Sequence, residues 1–124
     1  MVLKRKREDR ALKVLIIAPD RDLLNSLREL FTVCGREADV AHDGVMAIEK
    51  TRAGKFGAAL VDESVPLVRA GDLIKELEAS GVPAILMTKD PGAGGGKVLR
   101  YPFTTAELFA AVDAAAGKGE AKDE

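Results

Sequence analysis

Tryptophan is missing altogether, and only 4% of the 124 residues are aromatic. The core must therefore be built mainly from Ala, Val, Leu and Ile. There is one cysteine, so no internal disulfide can form, and a cytoplasmic location fits that usage. Cys34 stands among apolar residues near an expected helix end and reads as a buried structural thiol. The single histidine, His42, has no second imidazole or cysteine near it in sequence. A metal-ligating or general-base role is thereby disfavoured, and His42 is expected to lie exposed at the start of a helix. No Ser-His-Asp or Cys-His spacing exists, so no nucleophilic catalyst is expected and the chain does not read as an enzyme. No apolar run approaches the roughly 20 residues that a membrane span needs. A formal charge of -1 argues against general nucleic-acid affinity, which needs a strongly basic surface.

What is present fits one domain, with 47% hydrophobic residues for a core and 31% charged residues for a solvated surface. Positions 1–11 form a charged arm containing Lys4, Arg5, Lys6 and Arg7. Residues 12–116 carry the domain pattern. The stretch 117–124 is small and charged and reads as a disordered tail or the start of a linker.

Within the domain, short apolar runs alternate with helical patterns, the signature of a parallel sheet covered on both faces. The expected strands are Leu12-Lys-Val-Leu-Ile-Ile-Ala18, Ala38-Asp-Val-Ala41, Ala58-Ala-Leu-Val-Asp62, Pro83-Ala-Ile-Leu-Met-Thr88 and a weaker Lys97-Val-Leu-Arg-Tyr101. The first helix follows Asp20 and Asp22, with Leu23, Leu24, Leu27, Leu30 and Phe31 on one face and Gly35 at its end. Asp43-Gly44 opens a second helix containing Val45, Met46 and Ile48, and Gly54 stops it. A third helix covers Gly71 to Ser80 and closes at Gly81. The last begins at a capping box, Thr104-Thr-Ala-Glu107, and continues with Leu108, Phe109 and Val112. Between the fourth and fifth strands there is no helical pattern. Lys89-Asp-Pro-Gly-Ala-Gly-Gly-Gly96 carries four glycines and a proline, which preclude a stable helix.

This glycine loop superficially resembles a phosphate cradle. The phosphate-loop pattern, however, needs glycine where Pro91 stands and Ser or Thr where Val98 stands, and a strand rather than a helix follows. A flexible crossover is the simpler reading.

Five strands and four helices in this order specify a doubly wound five-stranded parallel sheet, flavodoxin-like, with strand order 2-1-3-4-5. On that frame the chain resembles the receiver domains of bacterial response regulators over roughly Leu12 to Ala116. Four features in the right order carry the resemblance: Asp62-Glu-Ser-Val-Pro66 at the phosphoacceptor position, Asp43-Gly44 followed by Ala47, Thr88 at the hydroxyl position, and Pro102-Phe103 at the end of the Lys-Pro-Phe motif. The resemblance implies a signalling module whose phosphoacceptor is Asp62, with Ser64 and Thr88 beside it.

The departures alter that expectation. The acid pair that would hold magnesium falls on Ala18 and Pro19, which have no side-chain oxygen. The Lys position holds Tyr101, so the cation expected to neutralise transferred charge is absent. Arg100 is adjacent, but successive strand residues point to opposite faces. Asp20 and Glu63 are the carboxylates through which a rearranged site would regain metal ligands, and Lys89 or Lys97 would supply charge. Otherwise Asp20 is a helix cap, Glu63 a solvated loop acid, Asp62 an acceptor for loop amides, and Thr88 a partner for local backbone.

The leading expectation is a phosphorylation-independent pseudo-receiver that takes no cofactor and binds a partner protein or a second copy of itself. With the family's fourth helix missing, the edge near Val98, Arg100, Tyr101 and Phe103 is the candidate interaction surface. Two alternatives stay open: a phosphoryl-accepting switch using Asp62 and Mg²⁺, and a small-ligand or nucleotide module on the same fold.

Overall fold

The computed structural model describes residues 13–92 and 97–116. The charged arm, the terminal stretch 117–124 and the glycines at 94–96 lie outside the described residues.

Five parallel strands, β1 (Val14–Ile17), β2 (Ala38–Ala41), β3 (Ala58–Asp62), β4 (Ala84–Thr88) and β5 (Val98–Arg100), form one sheet in the order β2-β1-β3-β4-β5. This is the expected flavodoxin-like arrangement. Four helices are described: α1 (Arg21–Val33), α2 (Gly44–Ala53), α3 (Ala70–Ala79) and α4 (Thr105–Ala116). β1 and β3 are buried along their whole length, as strands covered on both faces must be.

Strand alternation sorts the core into two layers. Val14, Ile16, Leu60, Ile85, Met87 and Leu99 face α1 and α4, where Leu24, Leu27, Phe31, Leu108 and Val112 meet them. Leu15, Ile17, Ala59, Val61 and Ala84 face α2 and α3, which supply Ala47, Leu73 and Leu77.

Local signals end the elements where the sequence places them. The carboxylate of Asp20 accepts from the N–H groups of Asp22 (2.9 Å) and Leu23 (3.3 Å), capping α1. The Thr104 and Glu107 side chains cap α4 reciprocally, at 3.0 and 2.9 Å. Gly35 and Gly81 follow α1 and α3 with φ of 76° and 87°, the left-handed region where glycine carries no Cβ penalty. Gly44 is required for a different reason: a Cβ there would meet Val68 Cβ at 2.5 Å. The loop after β3 packs directly on this bare backbone, and the Gly44 N–H donates to the Pro66 carbonyl at 3.0 Å.

One expectation is corrected here. Cys34 is exposed rather than buried, because it is the cap residue beyond Val33 and the apolar stripe of α1 ends at Phe31. In α2, Gly44 and Ala47 turn inward and Val45 is exposed. Between β4 and β5, residues 89–92 form a turn, and no helix occurs among the described residues of this connection. Leu86 and Val98, cross-strand neighbours on the α2/α3 side of the sheet, are consequently only half-buried.

Candidate functional site

The carboxyl ends of the parallel strands converge on an open cleft of about 580 Å³ lined by Ala18, Pro19, Asp20, Asp62, Lys89 and Tyr101, among others. Cleft formation at this end follows from the topology, because connections leave β1 and β3 in opposite directions.

Asp62 closes β3 and is nearly buried, at 8% exposure. Both of its oxygens are engaged. Oδ2 accepts from the Ser64 N–H (2.9 Å) and from the Ser64 hydroxyl, while Oδ1 accepts from the Tyr101 hydroxyl at 2.6 Å. Tyr101 follows β5, is half-buried, and stacks on Phe103 with ring centroids 5.3 Å apart. Its peptide bond to Pro102 is cis. Burial first, then the hydrogen bond to Asp62, then the charges of Asp62, Glu63 and Asp20 hold the phenol far above its ordinary range. Tyr101 is thus a neutral donor to a carboxylate, in the place where the sequence pattern calls for a cation.

Glu63 points the other way along the strand. Its Oε1 accepts from the Thr88 hydroxyl, and its Oε2 from the Lys89 N–H at 3.1 Å. Glu63 is exposed, as expected of a loop acid, and its carboxylate in addition bridges to β4. Thr88 is fully buried, and its hydroxyl oxygen also accepts from the Asp90 N–H at 2.9 Å. Alternation explains the division: Asp62 shares the α1/α4 side with Tyr101, and Glu63 shares the α2/α3 side with Thr88.

The same rule divides the candidate interaction edge. Tyr101 and Phe103 pack against the α1/α4 core. Val98 lies on the opposite side of β5 from Leu99, as does the exposed Arg100, whose Nε donates to the Asp90 carbonyl at 3.4 Å. These four residues therefore do not form one surface.

The donor set does not fit a Mg²⁺ ion, which takes oxygen ligands at about 2.0–2.1 Å in near-octahedral array. Ala18 and Pro19 provide no side-chain oxygen, Asp20 is committed to capping α1, and both Asp62 oxygens have donors. Among the described residues no three His, Cys, Asp or Glu side chains are grouped to hold a metal. His42 lies at the start of α2, 3.4 Å from Asp43, away from this cleft.

No family model matches the chain. Among curated proteins it is similar to the response regulator MprA of Mycobacterium ulcerans, 25% identical over 125 residues that cover 92% of this chain and 54% of that protein. Against MprA of Mycobacterium tuberculosis it is 25% identical over 111 residues, covering 81% and 48%. The chain thus spans about half the length of these relatives. Among solved structures, the signal receiver domain of an HD domain-containing protein from Pseudomonas fluorescens superposes with TM-score 0.79 at 17% identity, over 92% of this chain and 93% of that one. The receiver domain of the sensor histidine kinase PA1611 from Pseudomonas aeruginosa gives TM-score 0.75 at 21% identity, covering 86% and 98%.

These likenesses are to response regulators and receiver domains, and the superpositions show that the chain shares the receiver fold. The receiver fold places Asp62 at the end of its middle strand, in the cleft. The PA1611 receiver domain coordinates a magnesium ion in its active-site cleft. Here the corresponding end of the sheet carries Ala18, Pro19 and the Tyr101–Asp62 hydrogen bond instead.

Two features escaped sequence reasoning: the Tyr101 bond to Asp62 and the Glu63 bridge to β4. The first had a usable signal, since a residue at the Lys position inherits the direction of that side chain. The second had none, because it depends on the separation of two strand ends.

Proposed function

We propose that this chain is a phosphorylation-independent pseudo-receiver, a signalling module that works by binding a partner protein and needs no metal. One observation carries the reading: the Tyr101 hydroxyl donates to Asp62 at 2.6 Å. A nucleophilic carboxylate must present a free oxygen to the incoming phosphoryl group, with cationic charge nearby to stabilise the transition state. Asp62 has neither. One oxygen is held by a phenol that stays protonated, and the other by Ser64. The half-buried pair Leu86 and Val98 supports a binding role, because apolar side chains stay partly exposed there and no helix occurs among the described residues of the β4–β5 connection.

The reading is tested by adding Mg²⁺ with beryllofluoride or a small acyl phosphate to the isotope-labelled chain. Intact mass and the amide spectrum should stay unchanged at Asp62 and Thr88. Saturable shifts, or a stable mass increment on Asp62, would refute phosphorylation independence and restore the switch as the working function.

A further inference from the structure

The first turn of the β4–β5 connection is tied into one hydrogen-bonded chain. That chain starts at Glu63, whose two oxygens take the Thr88 hydroxyl and the Lys89 N–H. Thr88 Oγ1 in turn accepts from the Asp90 N–H at 2.9 Å, and Asp90 Oδ1 accepts from the Gly92 N–H at 2.8 Å. The Asp90 carbonyl accepts from Arg100 Nε, which returns the chain to β5.

The geometry points to Glu63 as a built-in anion that occupies the hydroxyl and amide donors at the end of β4 and so holds the β4–β5 face in a single state. Three observations converge on this. A buried hydroxyl and an adjacent N–H form a pair of donors aimed at one oxyanion, and a carboxylate with two oxygens satisfies both at once. Thr88 lies on the same side of β4 as Leu86, and it pairs in register with Arg100 as Leu86 does with Val98. Fixing Thr88 therefore fixes the row of side chains on this side of β4 and β5. Finally, neighbouring bonds in one chain polarise and order each other, so a single anchor at Glu63 is felt through to Arg100.

This inference rests on the pseudo-receiver reading, because it makes the state of the face independent of any group on Asp62. The test compares wild type with Glu63→Ala, Glu63→Gln, Thr88→Val and Thr88→Ser by amide hydrogen exchange and by the χ1-dependent couplings of Thr88. Glu63→Ala should speed Lys89 amide exchange at least about threefold, near the low end for one lost hydrogen bond at a solvent-facing site. It should also average the Thr88 rotamer and move the Leu86 and Val98 methyl signals, leaving the amides of β1 and α1 in place. Glu63→Gln keeps an acceptor oxygen and should be intermediate. Thr88→Ser should retain protection of Asp90, and Thr88→Val should lose it. An unchanged Lys89 amide and a single Thr88 rotamer in folded Glu63→Ala would overturn the inference, as would uniform loss of protection across the sheet. If wild type accepts beryllofluoride while Glu63→Ala still shows the local loss, the anchor stands and phosphorylation independence falls.

Discussion

Replacing Tyr101 with Phe removes one oxygen atom and leaves the ring, its stack on Phe103 and its packing against the α1/α4 core in place. No cavity term arises, so the change isolates the hydrogen bond to Asp62. A hydrogen bond to a charged group contributes roughly 1.5–3 kcal/mol, and loss of the donor leaves Asp62 Oδ1 at a nearly buried position. Because Tyr101 is itself half-buried, water replaces part of the lost bond, and the expected destabilisation is about 2 kcal/mol. For a domain of this size that lowers the thermal midpoint by on the order of 10 °C. Urea unfolding of Tyr101→Phe, Asp62→Asn and the double variant gives the decisive quantity. The two changes should be non-additive by about 1–2 kcal/mol, as for residues in direct contact. Additivity within about 0.5 kcal/mol would show that the phenol and the carboxylate do not depend on each other, and the argument for a neutral lock would fail.

Tyr101 is the only tyrosine and there is no tryptophan, so phenolate absorbance reads this residue alone. Its folded-state pKa is raised above the ordinary 10.0, so its contribution is fully present below that value and is lost as pH climbs beyond it; stability should fall in the alkaline range, with phenolate appearing only on unfolding. Gly44→Ala would drive a Cβ to 2.5 Å from Val68 Cβ and should cost about 1–3 kcal/mol in a thermal or urea melt. Leu67 has φ of 77° and is 73% exposed, so Leu67→Gly relieves left-handed strain with little loss of burial and should stabilise the domain by about 0.5 kcal/mol in the same assay. Phe31→Ala, at a fully buried ring in contact with Phe109, should cost about 3–5 kcal/mol, measured by urea unfolding.

Much of the architecture is legible in the chain because it depends on local rules. The apolar run at β1, the caps Asp20 and Thr104, and the stop glycines Gly35 and Gly81 each act within a few residues. The parallel order then follows from handedness and connection length. Cys34 shows the limit of such reasoning: apolar neighbours in sequence imply burial, but a cap residue leaves the helix path and the stripe it would have joined.

The chain read alone places Ala18 and Pro19 after β1, Tyr101 after β5 and a glycine-rich stretch after β4. Those are facts of composition at particular positions, and they define what chemistry the site lacks. What the remaining groups do depends on the folded arrangement of the strand ends. Tyr101 and Asp62 are 39 residues apart, Glu63 and Thr88 25, and whether such pairs meet depends on how three strand ends are brought side by side. Strand alternation sends two neighbouring acids to opposite sides of the sheet, one to a phenol and one to a hydroxyl, and that division exists only once β3, β4 and β5 are paired.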